Sequence, residues 1–478
     1  MGKLFVKLTA FFLALLLPVA AVALCCCAGG GVYTHTYYGA LGIQYDRLRS
    51  VEGEKVVLIG NSSVAFGMDS ALFEELYGKP MVSFGLYGTL GTRLMLDLSK
   101  AGVRRGDTVV IAPELNADAF SMNYNTQATL KATEKRADIL AHAEFELFDD
   151  IIGGSLSYGI TRLGYLLSGT VPVNDGAYKY ESVNEYGEIS AEERPGNIMR
   201  TGYLDEPLLG SFDEIGADFI DFVNDYIAWC RLRGAEVYFA CAPVNGRAAE
   251  AQGITDDVLL EIYGRLAEEI DCPVISDPTQ YVYDYRYFYD TNLHLNASGT
   301  VLRTVRLVRD LHLAEGINSE ISVELPAPPE PAVPVVEIDP TLNYTPSDLF
   351  TYREEGEFLT ITGVAAEGAS LEEIVLPVQH EGKYITKVGS YALSGCRELR
   401  SLTVPVGISE ISSFAMDGCT ELREIHILET SGNNLSVYTD SFTGVNVACT
   451  LYLHNATKAD FITGYFWPQI KLEIVEAE

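Results

Sequence analysis

Two short stretches of the chain hold residue types that together can perform nucleophilic chemistry. In GNSSVAFGMDS, Ser62 stands just beyond the end of the apolar run KVVLIG at 55–60, immediately after Asn61. A serine at a strand-to-helix turn is presented at the top of a sheet, where a nucleophile would stand. Ser63 beside it suits the other use of such a turn, capping the helix that follows. In YFYDTNLHLNASGTVLRT, Asp290 stands four residues before His294. A carboxylate held against one imidazole nitrogen fixes the tautomer and leaves the other nitrogen to take a proton from serine. The chain has only seven histidines, and this one lies behind an aspartate in the order Ser, Asp, His. A structural histidine in the loop before a helix is the plain alternative. SFGLYGTLG, with Gly85, Gly88 and Gly91, and APELNAD, with Asn116, read by themselves as a tight turn and a loop cap.

These residues need a scaffold, and the pattern around them supplies one. Short runs rich in Val and Ile alternate with segments of helical period, the signature of parallel strands joined by crossover helices. KVVLIG (55–60), MVSFGL (81–86), DTVVIAP (107–113), AEVYFACAP (235–243) and PVISD (273–277) are the expected strands. Helices are expected near 70–77, 91–100, 212–233, 254–270 and 297–311. The fold class is therefore α/β, a doubly wound, flavodoxin-like sheet of five parallel strands with its sites at the C-terminal strand ends. The polar stretch 121–210 lacks the alternation and reads as an insertion over the sheet edge, placed to act as a lid.

With the scaffold in place, four of these segments resemble the conserved blocks of the SGNH hydrolases. GNSSVAFG is similar to block I, with Asn61 for the usual Asp, and the match makes Ser62 the nucleophile. SFGLYGTLG is similar to block II, and implies that Gly88 offers its amide to an oxyanion. APELNAD stands where block III places an Asn, which would be Asn116, although Pro113 and Glu114 depart from the pattern. DTNLH is similar to block V, with Asp290 four positions before His294 rather than three. The resemblance covers about residues 54–312. It implies a catalytic set of Ser62, Asp290 and His294, and an oxyanion site from the amides of Ser62 and Gly88 with Asn116. It implies no cofactor and no metal, and is closest to envelope-associated members with an N-terminal membrane helix, some of which acylate wall polymers. Fold likeness alone does not carry function.

The remaining segments set the surroundings. Residues 4–28 carry no charge after Lys7 and read as a signal or transmembrane helix, with Lys3 and Lys7 inside and the bulk outside. An uncleaved anchor, a cleaved signal near Ala20 to Ala23 and a lipoprotein at Cys25 are the alternatives. ELPAPPEPAVPVVEIDP at 324–340 favours extended polyproline II and reads as a spacer. Beyond it SGCRELRSLTVP and DGCTELREIHIL repeat with a 23-residue period, matching Cys396 to Cys419, Leu399 to Leu422 and Leu402 to Ile425. Repeats stack into solenoids. LEEIVLP reads as an earlier turn with HEGKY inserted after it, and TDSFTGVNVACTLYLH as a degraded later turn. The pattern resembles BspA-type leucine-rich repeats of bacterial surface proteins, which implies a glycan or protein partner. The expected organisation is a membrane segment at 1–31, an SGNH-like unit at 32–322, a linker at 323–344 and repeats at 345–478.

Asp and Glu outnumber Lys and Arg by 66 to 33, for a net charge of -33. Such a polyanion is repelled by phosphate backbones, which argues against a nucleic-acid partner. The six cysteines from Cys230 onward show no CxxC pair and no zinc spacing, and are expected mostly as buried thiols. Two functions fit: an extracytoplasmic serine esterase or O-acyltransferase acting on acylated cell-envelope glycans, or a surface adhesion protein whose α/β unit is catalytically silent and whose repeats bind.

Overall fold

The computed structural model describes residues 30–478, except 143–146, 170–171, 173–176, 200–201, 205, 319–320, 330–337, 356–357, 431, 433–434, 439, 455, 459–460, 462–466, 468–469 and 478. The expected membrane segment, with Cys25, lies outside the described residues. Among the described residues no helix is long and apolar enough to cross a membrane. The chain divides into two compact units, up to Ala332 and from Val333.

The first unit is mixed α/β. Strands β1 (Val56–Gly60), β2 (Met81–Phe84), β3 (Thr108–Ala112) and β4 (Glu236–Phe239) pair in the order β2-β1-β3-β4, all parallel. Strands buried on both faces read as unbroken apolar runs, and the strand period of two divides each run between the faces. Val57, Ile59, Val109 and Ile111 enter the larger core. Val56, Leu58 and Val110 pack on the other side with Phe73, Leu307 and Leu311, which come from the helices Ser70–Tyr77 and Ala297–Ala314. The chain leaves β1 toward β2 and returns to β3 on the other flank. Strand order therefore reverses at β1, where α/β sheets open a crevice.

Two expectations need correction. PVISD does not form a fifth strand: only Val274 bridges Phe239, through Phe239 N–H to Pro273 O and Ile275 N–H to Phe239 O, both 2.9 Å. Pro273 and Pro278 bracket the segment and cannot donate to a longer ladder. The insertion is also more ordered than its polarity suggests, since Leu147–Ser168 is one helix of 22 residues. Its four glycines, at 153, 154, 159 and 164, lower helix propensity and hide the period. Arg162 of this helix meets Glu134 at 2.6 Å with both side chains buried, and Glu134 also accepts from the Tyr33 amide at 2.6 Å. The Pro-rich stretch begins as part of this unit, where Tyr287 Oη donates to Pro326 O at 2.9 Å.

The second unit is a solenoid of two sheets. Glu373–Val375, Ser401–Val404, Glu424–Ile427, Thr450–His454 and Glu473–Ala477 stack in parallel to form one sheet. Phe358–Val364, Lys383–Val388, Glu410–Ile411 and Ser436–Val437 form the other, closed at one end by the antiparallel strand Phe350–Glu355. The register pairs Leu402 with Ile425, as the 23-residue repeat requires. HEGKY forms a hairpin in which Gln379–His380 pairs with Lys383–Tyr384, turning at Glu381 and Gly382 with φ of 48° and 84°. All six described cysteines are free and buried, and Cys396, Cys419 and Cys449 lie inside the solenoid.

Candidate functional site

β1 ends at Gly60, where an added Cβ would stand 2.5 Å from Ala112 O, and Gly85 after β2 comes equally close to Asn61 O. These approaches bring the turns after β1, β2 and β3 together. The helix Ser62–Ala65 starts at once, and Asn61 before it makes no side-chain cap. Asn61 Oδ1 instead accepts from the Glu114 amide and from Thr92 Oγ1, each at 3.3 Å, which ties the β1 turn to the β3 turn. Ser63 is not a cap either: its buried hydroxyl makes no hydrogen bond among the described residues.

Ser62 Oγ donates to Glu114 Oε1 at 2.8 Å, and the Ser63 amide donates to the same oxygen at 2.6 Å. Asn116 Nδ2 reaches the other carboxylate oxygen at 3.4 Å, while Asn116 Oδ1 accepts from the Ala119 amide at 2.9 Å as a loop cap would. A Cβ on Gly88 would lie 3.8 Å from that same Glu114 oxygen. The structure thus gathers Ser62, Gly88 and Asn116 around the carboxylate of Glu114. The amide aimed into this space is that of Ser63, where the sequence reading names that of Ser62. Arg303, fully buried, donates to Ser63 O and places a cation behind the turn.

Asp290 and His294 meet in the loop before the last helix of the unit. His294 Nδ1 lies 2.8 Å from Asp290 Oδ1. The four-residue spacing works because Tyr289 N–H donates to His294 O at 2.8 Å and Phe288 bridges Leu295, closing the loop into a small hairpin. Asn296 then caps the helix through Gly299 N–H at 3.1 Å and donates back to Phe288 O at 3.0 Å. With Asp290 as acceptor, Nδ1 carries the proton and Nε2 keeps its lone pair. Phe66, whose amide donates to Ser62 O at 3.0 Å, stacks on the imidazole at 4.1 Å and 6°. This ring links the serine turn to the histidine. Ser62 is 9%, Glu114 3% and His294 5% exposed, so the groups are screened from bulk water and their interactions are strengthened.

The insertion supplies a residue that the sequence reading missed. Tyr178 Oη donates to Asp290 Oδ2 at 2.6 Å and lies 3.2 Å from His294 Nδ1. Burial, reinforced by the Asp290 charge, pushes its phenol well above the usual range, so it stays a donor. Nor is this part of the insertion a loose lid. Arg194 donates to Phe66 O, to Leu295 O at 2.6 Å, to Thr300 Oγ1 at 2.9 Å and to Ile189 O at 2.8 Å. Burial pulls its guanidinium down to about 10. Glu188 accepts from the Ser70 and Ser83 hydroxyls at 2.6 Å each. Buried Arg and Glu are seldom found without partners, and these contacts fix the segment in place. Among the described residues no cluster of His, Cys, Asp and Glu could hold a metal ion.

Comparison with known proteins places one part of the chain. Residues 360–459 match the BspA type leucine rich repeat region in six copies. No curated protein matches the chain.

Proposed function

We propose that the α/β unit is an SGNH-type serine esterase or O-acyltransferase of the cell envelope, held outside the membrane by the N-terminal segment. Its substrates would be acyl esters of envelope glycans, and the repeats would bind a glycan or protein there. The observation that carries this reading is the His294–Asp290 pair at 2.8 Å, joined to the Ser62 turn through Phe66. Ser62 Oγ attacks the acyl carbonyl carbon while its proton passes to His294 Nε2. The carbonyl π electrons move to oxygen, where the Ser63 and Gly88 amides and Asn116 Nδ2 would receive the charge. Collapse breaks the bond to the alcohol, which leaves with the proton from His294. Water or a glycan hydroxyl then attacks the acyl-serine by the same steps in reverse.

A second reading, a surface adhesion protein with a catalytically silent α/β unit, is favoured by one contact: the Ser62 hydroxyl donates to Glu114, and no hydrogen bond joins it to His294 among the described residues. A fluorophosphonate probe separates the two. Covalent labelling that Ser62→Ala abolishes and Ser63→Ala preserves supports the enzyme, whereas absence of labelling in the folded protein and in its Glu114→Ala variant supports the silent unit.

A further inference from the structure

The Ser62–Glu114 contact bears on how the proposed site works, and the inference below rests on that reading. Three donors converge on the Glu114 carboxylate: Ser62 Oγ at 2.8 Å, the Ser63 amide at 2.6 Å and Asn116 Nδ2 at 3.4 Å. Gly88 lines the same space without a side chain. The Ser63 amide and Asn116 Nδ2, with the Gly88 amide, are the donors that an ester's carbonyl oxygen would need, and a tetrahedral oxyanion needs them most, while the same carboxylate also holds the attacking Ser62 hydroxyl. A carboxylate in the cradle consumes the donors and sets a like charge beside the one that must develop.

We infer that this cradle is a carboxyl-binding site that the chain fills from within, and that an ester reaches Ser62 only by displacing the side chain of Glu114. Glu114 is thus an internal occupant, and the described arrangement is the closed form of the site. Its backbone amide is tied to Asn61 Oδ1 at 3.3 Å, so displacement is a side-chain rotation with β3 and its turn left in place. The ligand class follows from the contacts: a planar carboxyl group, offered as an ester by the substrate and as a free acid by the product.

The test uses the full chain and three proteins. Glu114→Gln keeps the shape and removes the charge, Glu114→Ala empties the cradle, and Ser62→Ala controls for the labelled residue. The expected result is that both Glu114 variants react with a fluorophosphonate about tenfold or more faster than the wild type. Acetate should protect Glu114→Ala from the probe at concentrations that leave the wild type unaffected. Rates unchanged in both variants overturn the inference while leaving Ser62 as nucleophile. Loss of labelling in both variants, with circular dichroism and melting unchanged, also overturns it, because Glu114 would then be the base that activates Ser62. No labelling in any of the proteins, variants included, removes the Ser62 reading and this inference with it.

Discussion

The two units bury charge to different extents. The solenoid interior is mainly a set of columns of Leu, Ile, Val and Cys, each supplied by successive turns, such as Ile374, Leu402, Ile425 and Leu451. Among the described residues its buried charges are few: Lys387 paired with Glu410 at 3.4 Å, and Glu429. The α/β unit also buries a large apolar core but threads it with charge: Lys55 with Asp107, Arg162 with Glu134, Glu188 among serines, Arg194 and Arg303. The contrast follows from how each part is specified. In a repeat every turn meets a near copy of itself, so apolar columns are enough to set the register. An irregular insertion over a sheet has no such copy, and hydrogen-bonded buried charges can define where it docks. The proposed chemistry lies in the unit that carries these charges.

Breaking a buried charge pair should have the largest effect. Asp107 accepts from Lys55 Nζ at 2.6 Å and from the Arg104 amide at 2.8 Å, and both charged side chains are wholly buried. Lys55→Met strands that carboxylate and should destabilise the α/β unit by about 3–5 kcal/mol, measured by denaturant unfolding. A loss below about 1 kcal/mol would mean that charge does not hold this unit together. Next comes the apolar column: Leu402→Ala should cost about 2–4 kcal/mol, read as lost amide protection in Ser401–Val404 and the strands paired with it. Unchanged protection there would deny that the column sets the solenoid.

Two smaller tests sharpen the account of the insertion. Tyr178→Phe removes the hydrogen bond to Asp290 and should slow fluorophosphonate labelling about tenfold, near 1.4 kcal/mol, with the fold unchanged by circular dichroism. Equal labelling rates would confine the insertion to a structural role. Glu188 gives the smallest effect, and its sign follows from burial, which raises its carboxyl above the usual range. The folded state then holds the proton more tightly than the unfolded chain, so its contribution is lost as pH rises through the folded value. Glu188→Gln does not titrate, and its melting point should gain on the wild type by about 2–4 °C from pH 5 to pH 8. A gain toward acid instead would show that the serine hydrogen bonds outweigh burial.

Much of this architecture was legible before the structure. Four strands stood out as apolar runs because a strand buried on both faces has no polar positions to interrupt it. The repeats stood out because the 23-residue step carries the same Cys and Leu, and the strand register keeps that step in pairing Leu402 with Ile425. Asp290 and His294 were legible as neighbours because a four-residue loop can close on itself without help from elsewhere. The inserted helix was hidden by its glycines, and the missing fifth strand by prolines at both ends of an apolar run.

The sequence by itself determined four strands and the helices expected with them, the repeat and the Asp290–His294 pair, all of which depend on residues close together in the chain. Only the tertiary structure decided what surrounds Ser62. Glu114 lies 52 positions from Ser62, and Tyr178 lies 112 from Asp290, and no local pattern encodes contacts at such separations. They exist because strand order reverses at β1 and sets the ends of β1 and β3 side by side, and because buried Arg194 and Glu188 fix the insertion against that edge.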